Sequence, residues 1–201
     1  HDLSAGQKIG FVTNGSAGFT ARFRQSYVSA TQFDNVTVFN SDHPSRAFGA
    51  QAVGALTAGE AVITMGGDVA GIWDGTSIIS SDIVKAATDS YFKNNGRIVR
   101  ASWGFRYRTV MASESNSSSV PQGARVVKQD TATPAVTVGS PAQIAGLTEN
   151  DIIIEVNGVR IGENASLEEQ LEKFKPGDTV TVNVVRAGQS VSLKFVLDEI
   201  K

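Results

Sequence analysis

The sequence predicts a mostly β chain of two units joined by a helix. Residues 1–79 hold short runs rich in Val, Ile, Phe and Thr, separated by glycine-containing breaks. A stretch with apolar residues at helical spacing follows, and beyond it come further strand-like runs interleaved with two short helical patterns. At 201 residues the chain suits two small domains, with the boundary expected at Arg97–Arg100 and units of 1–97 and 98–201.

In the first unit the expected strands are Lys8–Thr13, Thr20–Ala30, Asn35–Phe39, Ala61–Met65 and Val69–Trp73. Gly66-Gly67 between the last two predicts a hairpin, because glycine supplies the positive φ that tight turns need. Many short strands with turns between them point to a sandwich or barrel. The helix has Ser80 or Ser81 as its cap, Ile83, Val84, Ala87, Tyr91 and Phe92 as its apolar repeat, and Asn94-Asn95-Gly96 as its stop.

In the second unit Trp103–Val110 and Arg125–Lys128 read as strands around a polar loop, Ser113–Ser119, expected to be mobile. Pro141–Leu147 is a short helix closed by Gly146. Asp151–Val156 is a strand ending at the Asn157-Gly158 turn. Ser166–Phe174 is an amphipathic helix with Leu167, Leu171 and Phe174 on one face, stopped by Pro176-Gly177. Thr179–Arg186 and Ser190–Leu197 form a last hairpin around Ala187-Gly188.

Composition narrows the function. Lys and Arg number 18 against 20 Asp and Glu, a net charge of -2 with both signs dispersed, which argues against nucleic acid or an anionic membrane as partner. Hydrophobic residues make up 41%, enough for a core, yet no apolar run is long enough to span a bilayer. The absence of cysteine excludes disulfides, thiolate zinc and a cysteine nucleophile. No His/Asp/Glu cluster has metal-ligand spacing and Gly66-Gly67-Asp68 lacks the lysine of a phosphate loop, so no cofactor is expected. His1 in place of methionine predicts a missing upstream region. Asn14, Asn116 and Asn164 begin Asn-x-Ser triplets that matter only in a glycosylating pathway. Glu168, Glu169 and Glu172 read as a solvated helix face.

The second unit carries the specific motifs. Gly139-Ser140-Pro141-Ala142, Ala145-Gly146-Leu147, Asn150-Asp151-Ile152-Ile153 and Val156-Asn157-Gly158 occur in order, followed by Lys175-Pro176-Gly177-Asp178-Thr179 and Val185-Arg186-Ala187-Gly188. Over roughly residues 100–198 this resembles the PDZ domain of the HtrA (Deg) family, with Asp130–Pro134 as an apparent insertion. Ser102-Trp103-Gly104-Phe105 stands where that family has its carboxylate-binding loop. The resemblance implies a groove that takes an extended peptide as an added strand. Backbone N–H groups around Gly104 would hold the terminal carboxylate, and strand Gly104–Arg108 would offer an open edge. Leu167 and Leu171 would line the pocket for the last side chain. The implied peptide-binding set is Ser102, Trp103, Gly104, Phe105, Arg106, Leu167 and Leu171. The bland alternative makes Trp103, Phe105, Leu167 and Leu171 plain core.

The first unit resembles the C-terminal half of an HtrA-type, trypsin-like protease domain. Leu3–Ile9, Phe19–Ala30, the hairpin Ala61–Ile72 and the helix Ile83–Arg100 carry the likeness. The family places Gly-x-Ser-Gly-Gly just before that hairpin. Here Leu56-Thr57-Ala58-Gly59-Glu60 stands there, with Ala58 at the nucleophile position, and the upstream register Ala50–Gly54 offers Ala52. Loss of the serine of such a triad costs about 10⁶-fold in turnover, roughly 8 kcal/mol of barrier. Leu56 and Glu60 also replace glycines, which favours natural loss over one introduced substitution. His43 reads as a solvated loop histidine, and Asn14–Gly18 as a turn that imitates a nucleophile motif.

The first reading is therefore a proteolytically inactive HtrA-like protein whose PDZ groove binds peptide C-termini or extended segments, monomeric as this fragment and extracytoplasmic by resemblance. A second reading makes the chain a fragment or nucleophile mutant of an active HtrA-type serine endopeptidase. A third makes it an assembly scaffold with no peptide ligand.

Overall fold

A computed structural model of the chain describes residues 3, 6–14, 21–30, 38–42, 47–50, 57–75, 78–110, 114–115, 120–162 and 165–200. His43, Gly15–Gly18, Ala52, Asn116 and Asn164 lie outside the described residues, as do Asn35–Thr37 of the expected third strand. The chain divides into two compact units, His1–Phe33 with Arg46–Ile98, and Asp34–Ser45 with Val99–Lys201.

In chain order the first elements are β1 (Lys8–Asn14), β2 (Ala21–Ala30), β3 (Phe39–Asn40), β4 (Ala47–Ala50), β5 (Ala61–Thr64), β6 (Val69–Trp73), β7 (Ile78–Ser80) and α1 (Ser81–Lys93). All but β3 belong to the first unit. Its described strands close a barrel in the order β1-β2-β4-β7-β6-β5, with β5 returning to β1. Alternation puts Ile9 and Phe11 of β1 inward with Val28, Val62, Ala70, Trp73 and Ile78. Phe11 meets Trp73 edge to face at 5.9 Å. Burying each such large side chain contributes about 1.5–3 kcal/mol. The β5–β6 hairpin turns at Gly66-Gly67, where Gly67 has φ +93° and Thr64 N–H donates to Asp68 O at 2.8 Å.

Several expectations change here. Strands β4 and β7 carry too few alternating residues to stand out in the sequence, and barrel pairing creates them. The apolar repeat of α1 covers no core. None of its residues is buried, and Tyr91 and Phe92 are exposed. Ser80 is its N-cap by position, but its side chain makes no capping bond.

The second unit holds β8 (Ala101–Ser102), β9 (Arg106–Val110), β10 (Gly123–Val126), α2 (Pro141–Ile144), β11 (Ile152–Val156), β12 (Val159–Arg160), α3 (Leu167–Leu171), β13 (Thr179–Arg186), β14 (Gln189–Val196) and β15 (Asp198–Glu199). The main sheet runs β14-β13-β11-β10-β9-β3, with β12 on β11, while β15 pairs with β8. The helix expected over Ser166–Phe174 is thus one short turn, α3, capped by Ser166, whose Oγ accepts from Glu169 N–H. Phe174 lies beyond it and packs on Trp103 at 5.6 Å between ring centroids.

Two polar links hold this unit's framework. Asp151 is fully buried and accepts from Arg186 Nε and Nη2, both at 2.7 Å, and from Thr148 N–H at 2.8 Å. Arg186 also donates to Gly146 O, so the β13–β14 hairpin is tied to the turn after α2. Glu114, within the loop expected to be mobile, is gripped by both Nη atoms of Arg108 at 2.8 and 2.7 Å.

Candidate functional site

The Ser102–Phe105 loop enters β9 and turns at Gly104, where φ is +82°. A Cβ at Gly104 would run into the Ser140 side chain, so glycine is required by space as well as by conformation. Ser140 does three things at this point. Its Oγ donates to Thr137 O at 2.7 Å, lies 3.2 Å from Gly104 O, and accepts from Gln143 N–H to cap α2. On the far side, Thr137 N–H donates to Gly104 O at 2.8 Å and Arg106 N–H to Ala135 O at 2.7 Å. The loop is therefore clamped along 134–137 and by the head of α2, and its N–H groups at 103 and 104 converge.

They converge on a carboxylate of the same chain. Asp42 Oδ1 accepts from Trp103 N–H at 2.6 Å and from Gly104 N–H at 2.9 Å, and Oδ2 accepts from Ser102 Oγ at 3.1 Å. Next to it, Phe105 N–H donates to Ser41 Oγ at 2.9 Å and Ser41 N–H to Phe105 O at 3.0 Å. Upstream, β3 lies antiparallel on β9, with Phe39 opposite Tyr107 and Asn40 opposite Arg106. The strand edge expected to stand open is thus paired. Residues 39–42 lie along it, because β9 needs a second neighbour for its outer amides and carbonyls, and this short segment supplies one.

Each expected site residue has a definite place. Ser102 contributes its hydroxyl, Trp103, Gly104 and Phe105 their N–H groups, and Arg106 a strand pairing. The side chains of Trp103 and Phe105 are core, each 1% exposed, with Trp103 against Phe105, Phe174 and Phe195. Leu167 and Leu171 are also buried. The side chains of all four are core, and of the four only Trp103 and Phe105 also turn backbone N–H groups to the loop's partners, Asp42 and Ser41. Tyr107 links the strand to α3. It stacks at 5.5 Å on Phe39, and its buried hydroxyl feels the charge of Glu168. Burial first, then the negative charge of Glu168, pushes the Tyr107 hydroxyl well above its usual pKa.

Nothing in the sequence marks Asp42, Ser41 or Ser140 for the site. Ser140 lies in a recognisable motif, but its reach to Gly104 depends on the fold. For Ser41-Asp42 the available signal was a hydroxyl and a carboxylate ending a short apolar run.

In the first unit, Ala58 sits in an exposed turn before β5, with Glu60 N–H donating to Thr57 O at 3.2 Å and Gly59 N–H to Trp73 O at 2.7 Å. No hydroxyl stands at this position. Among the described residues, no group of three His, Asp or Glu side chains could hold a metal ion.

A clamped glycine loop with converging amides leads into strand β9 beside a short helix, an arrangement of PDZ type. The PDZ domain family matches residues 107–197, from β9 to the end of β14. The chain is 38% identical over 58 residues to a probable periplasmic serine endoprotease DegP-like of Bartonella henselae, covering 29% of this chain and 12% of that protein. It is 29% identical over 168 residues to the serine protease Do-like HtrA of Lactobacillus helveticus, covering 73% of this chain and 39% of that protein. Among solved structures, HtrA-type protease AlgW with tripeptide matches with a TM-score of 0.60 at 17% identity, covering 99% of this chain and 67% of that one. These findings give residues 107–197 a PDZ domain and make the chain similar, over part of their length, to HtrA- and DegP-like proteases. It spans well under half the length of these curated relatives.

Proposed function

We propose that this chain is a proteolytically inactive HtrA-like protein that binds extended peptide segments and peptide C-termini at the Ser102–Phe105 loop and the β9 edge. The single observation that carries the reading is the convergence of Trp103 and Gly104 N–H on one carboxylate beside a strand pairing. PDZ domains bind peptide C-termini by this combination of carboxylate capture and strand addition. The expected affinity is micromolar, about -8 kcal/mol. Inactivity is supported by Ala58, whose side chain has no oxygen to attack with, and by the commitment of the Gly59 N–H to Trp73 O and of the Glu60 N–H to Thr57 O. Names of the relatives support an extracytoplasmic place of work.

A free-acid pentapeptide tests the binding reading. It should bind at least about tenfold more tightly than its C-terminal amide, the value of charge-assisted hydrogen bonds to the loop. Gly104→Ala should abolish that difference. Equal binding of acid and amide would discard the reading. Leu171 is a poor site for the same test, since a charge there strikes the core. The rival reading, part of an active endopeptidase, draws on the relatives' names. A fluorophosphonate that labels the longest natural form of the protein would establish it and remove the inactive one.

A further inference from the structure

The groove already has an occupant. We propose that residues 38–42, Val-Phe-Asn-Ser-Asp, are a built-in ligand of the PDZ groove, with the Asp42 side chain in the place of a terminal carboxylate. External peptides then bind only by displacing this segment. The inference rests on the groove reading and adds to it a ligand class, internal segments carrying a side-chain carboxylate, together with a means of regulation.

Direction and chemistry both support it. Because β3 runs antiparallel to β9, the segment's last residue arrives at the loop that precedes β9, as an incoming C-terminus would have to. The main chain continues past Asp42, so its own carbonyl is not a carboxylate, and the side chain supplies one. Asn40 shapes that exchange: its Oδ1 accepts Asp42 N–H at 3.1 Å, closing a turn at the end of the strand. The carboxylate then takes two backbone N–H groups and the hydroxyls of Ser102 and Ser41, while Ser41 also satisfies both polar groups of Phe105. Phe39 is 6% exposed and stacks on Tyr107, so the segment is anchored at both ends.

A tethered ligand competes at an effective concentration on the order of millimolar. If the groove is free about a tenth of the time, the apparent affinity for an external peptide falls about tenfold.

The test uses the full chain, its Asp42→Ala and Phe39→Ala variants, and two fluorescent peptides. One is Val-Phe-Asn-Ser-Asp with both ends blocked, so that its only carboxylates are side-chain ones. The other is Val-Phe-Asn-Ser-Val with a free C-terminus. Asp42→Ala should bind both about tenfold more tightly than the parent, and Phe39→Ala should move affinity the same way if Asp42→Ala does not fold. Replacing the last residue of the blocked peptide by Asn should weaken its binding about tenfold. Equal affinity of parent and variants for the free-acid peptide overturns the built-in ligand and leaves the groove reading intact. No binding of either peptide to any of the chains overturns both. A second readout needs no peptide: the amide resonances of Trp103 and Gly104 should shift in Asp42→Ala and return when the blocked peptide is added. Unmoved resonances overturn the proposal.

Discussion

Trp103 and Tyr107 are two residues whose side chains serve one task while another part of them serves a second. Trp103 gives its indole to the core and its N–H to Asp42, so its substitution damages fold and site together. Tyr107 gives its ring to Phe39 and keeps its hydroxyl buried near the charge of Glu168. A buried phenol with a raised pKa makes folding sensitive to alkali. The unfolded chain releases this proton near the ordinary value of about 10, while the folded chain holds it. Its contribution is therefore complete below about pH 10 and is lost as pH rises toward the folded pKa. The urea midpoint of the parent should fall more steeply above pH 10 than that of Tyr107→Phe. Parallel pH profiles for the two proteins would contradict the assignment.

Helix starts show how position and energy separate at the scale of elements. Ser80, Ser140 and Ser166 all stand at N-caps with extended backbone. Only the latter two make the capping bond, whereas the Ser80 hydroxyl is buried without a partner. Ser166→Ala should thus cost about 1 kcal/mol, and Ser80→Ala should change stability by less than about 0.5 kcal/mol. Urea titration of both variants measures this, and an equal loss would show that α1 is capped after all. Of these serines the sequence marks Ser80 as a cap, but a cap's worth depends on a hydroxyl rotamer that neighbouring strands decide. In α3 the helix is also shorter than its periodicity predicts. Leu167, Leu171 and Phe174 keep helical spacing, yet Phe174 leaves the helix to pack against Trp103, a packing gain that periodicity cannot register.

The whole molecule has two cores, each with one of the chain's 2 tryptophans. Trp73 belongs to the barrel unit and Trp103 to the PDZ unit. Separate cores of this kind unfold as separate cooperative units. Trp103→Phe leaves the barrel core unaltered and Trp73 as its reporter, and Trp73→Phe does the converse. The two variants should show different urea midpoints by tryptophan fluorescence. Coincident curves with equal slopes would mean that the cores fold as one.

Local chemistry alone determined the hairpins at Gly66-Gly67, Asn157-Gly158 and Ala187-Gly188, because such turns depend on neighbours a few residues away. The partner of β9 was decided only in three dimensions. Nothing near Phe39 or Asp42 specifies which strand they will meet, since backbone pairing is open to any extended segment and the loop that receives Asp42 lies about sixty residues further along. Only the folded sheet, with one edge to fill and two amides needing an anion, makes that choice.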